Sequence, residues 1–183
     1  MQEKRTAPTN AAIHCAKSVR LCAIGESMIV LGIDPGATVG LALIEVPAVG
    51  RPKWIWHDAI REEELSLPEL QWDEDAPGVI AIEQVEGYAY DHVRSKALIQ
   101  TARLEGRLIE QARAMGYDPG MVSRSQWRKA LCGNGSADDA EVKRALELQT
   151  VGMPKRTNAH ARDAAGVAIV GARMAMAARR KTA

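Results

Sequence analysis

Short apolar runs broken by polar turns fill the first half of the chain, and helical periods fill the second. Met28-Ile29-Val30-Leu31 opens a stretch that predicts a strand over residues 28–34, buried on both faces because consecutive apolar residues leave no solvent side. Pro35 and Gly36 turn the chain sharply. Thr38-Val39-Gly40-Leu41-Ala42-Leu43-Ile44 then predicts a second strand over 38–46, folded back on the first as an antiparallel hairpin. Lys53-Trp54-Ile55-Trp56-His57 alternates and predicts a third strand over 53–60. The acidic, proline-marked residues 61–77 read as a surface connection with a short helix, and Gly78-Val79-Ile80-Ala81-Ile82 predicts a fourth strand ending in Glu83.

Beyond residue 90 the period changes. Val93, Ala97, Thr101, Leu104, Leu108, Ala112 and Met115 recur at three and four residues, one apolar stripe on a helix over 91–116 with Gly116 as its stop. A short strand near 120–123, a helix from Ser125 to Leu131, a helix over 138–149 and a last helix from about 158 to 180 complete the pattern. Ser136 and Asp139 have the spacing of a capping box, with Asp standing in for Glu. Trp127, at helical spacing from Leu131, reads as core. Strands come first, then strand and helix alternate. That order predicts an α/β or α+β architecture whose sheet mixes antiparallel and parallel pairs. Residues 1–27 show no period and read as an N-terminal arm ahead of a domain over 28–183.

At 183 residues the chain is sized for one domain, and its core must be built without Phe. No apolar run approaches the length that spans a bilayer. Residues 1–27 hold no compact apolar block with a small-residue cleavage site, which argues against a secretory signal. Cys15, Cys22 and Cys132 form no paired motif, an arrangement suited to a reducing cytoplasm, and His14, Cys15 and Cys22 match no standard zinc spacing. The net charge of +1 hides an asymmetry. Residues 1–90 carry 7 basic and 14 acidic residues, a net of −7, and residues 91–183 carry 17 and 9, a net of +8. A basic half suits a polyanionic partner, and it equally suits solvated helix faces.

Three carboxylates stand where chemistry would need them. Asp34 ends a buried strand, and an ionised carboxylate there requires a cation, a proton or several donors. Glu83 ends another buried strand, and Asp163 shares a helix face with His160. Singly, each has an ordinary explanation: a turn cap, a solvent-reaching strand end, a helix-dipole partner. Together they form the oxygen-rich set that a hard divalent cation such as Mg²⁺ takes. Two such ions roughly 3.5–4 Å apart would clamp a phosphodiester, with Asp34 bridging, Glu83 and Asp163 flanking, and His160 ligating or activating water. Arg124, Arg128 and Lys129, and then Lys155 and Arg156, lie in segments leading to this set and suit phosphate contact. Tyr88 sits in a polar connection where an aromatic suits stacking on a base.

Met28 through Gly36, then Ile80-Ala81-Ile82-Glu83-Gln84-Val85, then His160-Ala161-Arg162-Asp163-Ala164-Ala165 resemble the three motif regions of RuvC-type Holliday junction resolvases. Cys132-Gly133-Asn134-Gly135-Ser136-Ala137 resembles a loop of the same family, and the match runs in order from Met28 to about Ala175. The resemblance implies an RNase H-like fold with a mixed five-stranded sheet, three antiparallel strands followed by parallel ones, flanked by helices. It implies a homodimer and Mg²⁺-dependent nicking of like strands across a four-way DNA junction, with Mn²⁺ substituting. It assigns Asp34, Glu83 and Asp163 as the acidic ligands, His160 as the fourth ligand, and Arg128 as a DNA contact. Two positions depart from the pattern. Asp139 stands where Lys is common, which shifts the expected basic contact to Lys143. Glu86 replaces the usual aromatic, which leaves Tyr88 as the candidate for stacking at the junction centre. Two other readings stand beside this one: a branched-DNA- or RNA-binding module without catalysis, and an actin-like phosphotransferase whose Asp-x-Gly turn cradles ATP.

Overall fold

In a computed structural model the described residues are 27–65, 67, 78–85 and 92–182. They form one five-stranded sheet of β1 (Ser27–Asp34), β2 (Thr38–Pro47), β3 (Lys53–Arg61), β4 (Gly78–Gln84) and β5 (Gly120–Ser123), in spatial order β3-β2-β1-β4-β5. The β1–β2 and β2–β3 pairs are antiparallel, and β1–β4 and β4–β5 are parallel. This is the mixed sheet that the pattern predicts. Four helices flank it: α1 (His92–Ala114), α2 (Arg124–Cys132), α3 (Asp139–Gln149) and α4 (Ala159–Thr182). Of the N-terminal arm expected over residues 1–27, Ser27 instead opens β1; residues 1–26, most of the acidic connection and Tyr88 lie outside the described residues. Among those described, no helix is long and apolar enough to cross a membrane.

β1 is central and its side chains alternate between two cores. Met28 and Val30 join Ala42, Ile44, Ala81, Trp127 and the small residues of α4 on one face. Leu31 and Ile33 join Leu41, Ile80, Ile82, Leu104 and Leu108 on the other. Continuing that parity, Asp34 falls on the α4 face with Met28 and Val30, and Glu83 falls there with Ala81. The β1–β4 register pairs Ile33 with Ile82, so its next step sets Asp34 beside Glu83.

α4 reaches the same place by unusually close packing. A Cβ on Gly32 would overlap the Ala164 carbonyl oxygen, and one on Gly40 would overlap the His160 carbonyl. Only glycine lets the helix backbone lie this near the strands. Asn158 caps the helix, its Oδ1 accepting from Ala161 N at 2.7 Å. His160 and Asp163 therefore sit on the first turns, over the ends of β1 and β2.

Two expectations need correction. The capping box of α3 is Asp138 with Glu141, not Ser136 with Asp139: Asp138 Oδ1 accepts from Glu141 N at 2.9 Å, and Asp138 N donates to Glu141 Oε2 at 2.8 Å. Ser136 N is taken by the Asn134 side chain, so the turn closes before the helix starts. Among the described side chains, the stripe of α1 is buried at Leu104, Leu108 and Ala112, whereas Ala97 is exposed and Thr101 and Met115 are half-buried. α1 rests on β4, which ends at Gln84, so the first half of the helix extends past the sheet.

Candidate functional site

Asp34, Glu83, His160 and Asp163 line one cleft of about 440 Å³, together with Arg124 and Asp139. The four proposed ligands, read from distant stretches of sequence, are thus brought together. All three carboxylates are nearly buried, Asp34 at 9%, Glu83 at 8% and Asp163 at 6% exposure.

Each carboxylate is held by a different partner. Asp34 Oδ2 lies 2.9 Å from His160 Nδ1, which is the donor whenever Asp34 is ionised. Glu83 Oε2 accepts from the Trp127 indole Nε1 at 2.9 Å. Asp163 Oδ2 accepts from Arg128 Nη2 at 3.3 Å and from Arg124 Nη2 at 3.4 Å. Burial pushes the Asp34 carboxyl up to about 6, against the pull of His160, with Asp163 adding repulsion. Burial likewise pushes Glu83 up to about 7, with the Asp34 charge adding to it. Asp163 is raised by burial too, in spite of its two arginines. Crowded acids that resist ionisation mark a site that gains from added positive charge.

The donors are carboxylate oxygens and one imidazole, the chemistry a hard divalent cation takes. Among the described residues no three of His, Cys, Asp and Glu already stand as a closed ligand cluster. Each carboxylate is instead hydrogen-bonded to its own protein partner: Asp163 to arginines, Glu83 to an indole and Asp34 to an imidazole. The set fits such a cation in kind and in shared cleft, with the side chains oriented toward protein partners.

The basic residues divide. Arg124 lines the cleft with its side chain 55% exposed. Arg128 is buried beneath Asp163: it donates to the Ala137 carbonyl through Nη1 and lies 3.5 Å from Asp139. Lys129, Lys155 and Arg156 are exposed outside the cleft lining, and Lys143 pairs with Glu147 at 3.8 Å. Sequence reasoning missed Trp127 as a partner of Glu83 and Arg128 as a partner of Asp163. The signal was their adjacency on a helix directly after β5, the strand paired with β4.

No family model matches the chain. Among curated proteins, the crossover junction endodeoxyribonuclease RuvC of Bifidobacterium animalis subsp. lactis is 28% identical over 156 residues, covering 78% of each chain. That of Mycobacterium tuberculosis is 32% identical over 157 residues, covering 78% of this chain and 80% of its own. Among solved structures, T. thermophilus RuvC in complex with Holliday junction substrate aligns with a TM-score of 0.64 at 19% identity, over 82% of this chain and 96% of that one. A second Thermus thermophilus RuvC structure gives 0.59 at 21% identity, over 85% and 98%. The structures establish the shared RNase H-like fold. The mycobacterial identity, sustained across four-fifths of that protein, settles descent: the chain belongs to the RuvC family of crossover junction endodeoxyribonucleases.

Proposed function

We propose that this protein is a Mg²⁺-dependent, structure-specific DNA endonuclease that resolves four-way junctions by paired nicks on like strands. Residues 28–183 form its nuclease domain, it acts as a homodimer in the cytoplasm, and Mn²⁺ substitutes for Mg²⁺. One observation carries the reading. Asp34 from β1, Glu83 from β4 and Asp163 from α4 meet in one cleft, where, among the described residues, Arg124, Arg128 and the His160 imidazole offset them against a burial that still raises all three. The curated relatives carry the same activity in their names, and one fold neighbour was solved on a junction.

Asp34, Glu83 and Asp163, with His160, would hold the cation. Bound there, it supplies the positive charge that polarises a scissile phosphate and acidifies an attacking water. The chain's own groups do the rest. His160 fixes the Asp34 carboxylate through Nδ1, and Trp127 fixes Glu83. Arg128 holds Asp163 from below, while half-exposed Arg124 at the rim suits contact with a backbone phosphate. A two-fold dimer would present two such clefts to matching strands of a near-symmetric junction.

The test is a panel of a synthetic four-way junction, linear duplex and RNA–DNA hybrid, each with and without Mg²⁺. Symmetric nicks confined to the junction, and dependent on the cation, are expected. A junction that is bound but uncut with both Mg²⁺ and Mn²⁺ would overturn the catalytic reading.

A further inference from the structure

We propose that Trp127 is a positioning residue for Glu83, setting which carboxylate oxygen meets the cation and how far Glu83 stands from Asp163. The inference rests on the cation-dependent reading above. Trp127 is fully buried, and burial alone would account for its ring. It does not account for the acceptor. A buried indole N–H needs a partner, and a backbone carbonyl would serve. Here the partner is the Glu83 carboxylate, 8% exposed.

The ring is also wedged against the helix that carries Asp163. A Cβ on Gly166 would come within 2.5 Å of Trp127 Cε3, so the indole plane fills the space a side chain would take. Gly166 lies one turn after Asp163. The next residue, Arg128, has its guanidinium 5.2 Å from the Trp127 ring centroid and its Nη2 on Asp163. Successive side chains of α2 therefore pin two of the three carboxylates, and both rest on α4. Without the indole N–H, Glu83 beside like-charged Asp34 would be free to rotate away from it.

Trp127→Phe keeps an aromatic ring in the core and removes the N–H, along with part of the indole volume. The measurements are calorimetric Mn²⁺ binding without DNA, and the Mg²⁺ dependence of junction nicking. The expected result is Mn²⁺ affinity lowered about 10–100-fold, the usual cost of losing an outer-shell hydrogen bond. The half-saturating Mg²⁺ concentration should rise, with nicking recovering at high Mg²⁺. Unchanged Mn²⁺ affinity overturns the proposal. So does a lower maximal rate at unaltered Mg²⁺ half-saturation, which a purely structural role would give. Should the variant fail to fold, the wild-type chain still decides. The assigned Trp127 indole N–H resonance must move as Mg²⁺ saturates, while that of Trp54, bonded to Thr150 Oγ1 at 2.9 Å, stays still. A Trp127 resonance that does not move overturns the assignment. A wild-type protein that neither binds Mn²⁺ nor nicks junctions refutes the nuclease reading instead.

Discussion

The two sides of the cleft carry the same kind of acid under opposite regimes. Asp163 on α4 faces two guanidinium groups, one of them buried. Asp34 and Glu83, on adjacent strands, are hydrogen-bonded to an imidazole and an indole, and feel the Arg124 guanidinium only through space. The strand side thus carries the less compensated negative charge, while the helix side has two guanidinium groups in direct contact. On the proposed function, the strand pair is the side that would gain most from an external cation, and the helix carboxylate is the one the protein's own arginines contact directly.

The sharpest way to break this contrast is Asp34→Asn. Junction nicking should fall by more than the ~10–100-fold that outer-shell changes cost, since a direct ligand is lost, and gel assays at saturating Mg²⁺ would read it. In the absence of divalent cation the same variant should be more stable than wild type near pH 8, by about 1–3 kcal/mol in unfolding free energy, because a carboxylate that resists ionisation has been removed. Asp163→Asn should lose nicking as well but gain less, because its carboxyl is also raised by burial yet the substitution strips a partner from buried Arg128. Equal stabilisation by both substitutions would erase the distinction between the two sides.

A gentler probe is pH. Asp34 at about 6 and Glu83 at about 7 both lie above the ordinary carboxylate range. The folded protein therefore binds these protons more tightly than the unfolded chain does. Their contribution to stability is complete below the ordinary carboxylate range and is lost as pH rises through about 6 and 7. Melting temperature in chelator should fall over that window, and Mg²⁺ should flatten the fall by replacing the lost protons. A melting temperature that rises across the window with no divalent ion present would contradict the picture.

The smallest effects concern exchangeable groups. His160→Asp should keep nicking within about tenfold if the position serves as a ligand. Arg124→Ala should change stability by less than about 1 kcal/mol, since its side chain is over half exposed and its ion pair is screened.

Much of this was legible in sequence, for physical reasons. Met28 through Ile33 and Val79 through Ile82 are apolar without a break because both sheet faces are covered, so the strands and their acidic ends stood out. The small residues from Ala164 to Ala168 announced a tightly packed helix, and the resemblance placed the acids in one family pattern. What stayed hidden depended on direction rather than type. Helical spacing places Trp127 in the core but says nothing of where its N–H aims. Arg128 looks like surface charge until α4 is laid across it. Adjacent Asp138 and Asp139 compete for the cap, and only the turn closed by Asn134 decides that Asp138 takes it and Asp139 faces Arg128.

Gly32 and Gly40 carry one more consequence. Like charges gathered in a cleft push one another apart, and a helix seated on long side chains could yield by rotamer changes. Here main chain rests directly on main chain, so the spacing between the strand acids and the helix acid is gauged by hydrogen-bonded backbone with no side-chain rotamers to change. An alanine at either glycine, although it carries no charge and makes no bond to any ligand, would lift the whole end of α4 and spread the acidic cluster as a unit.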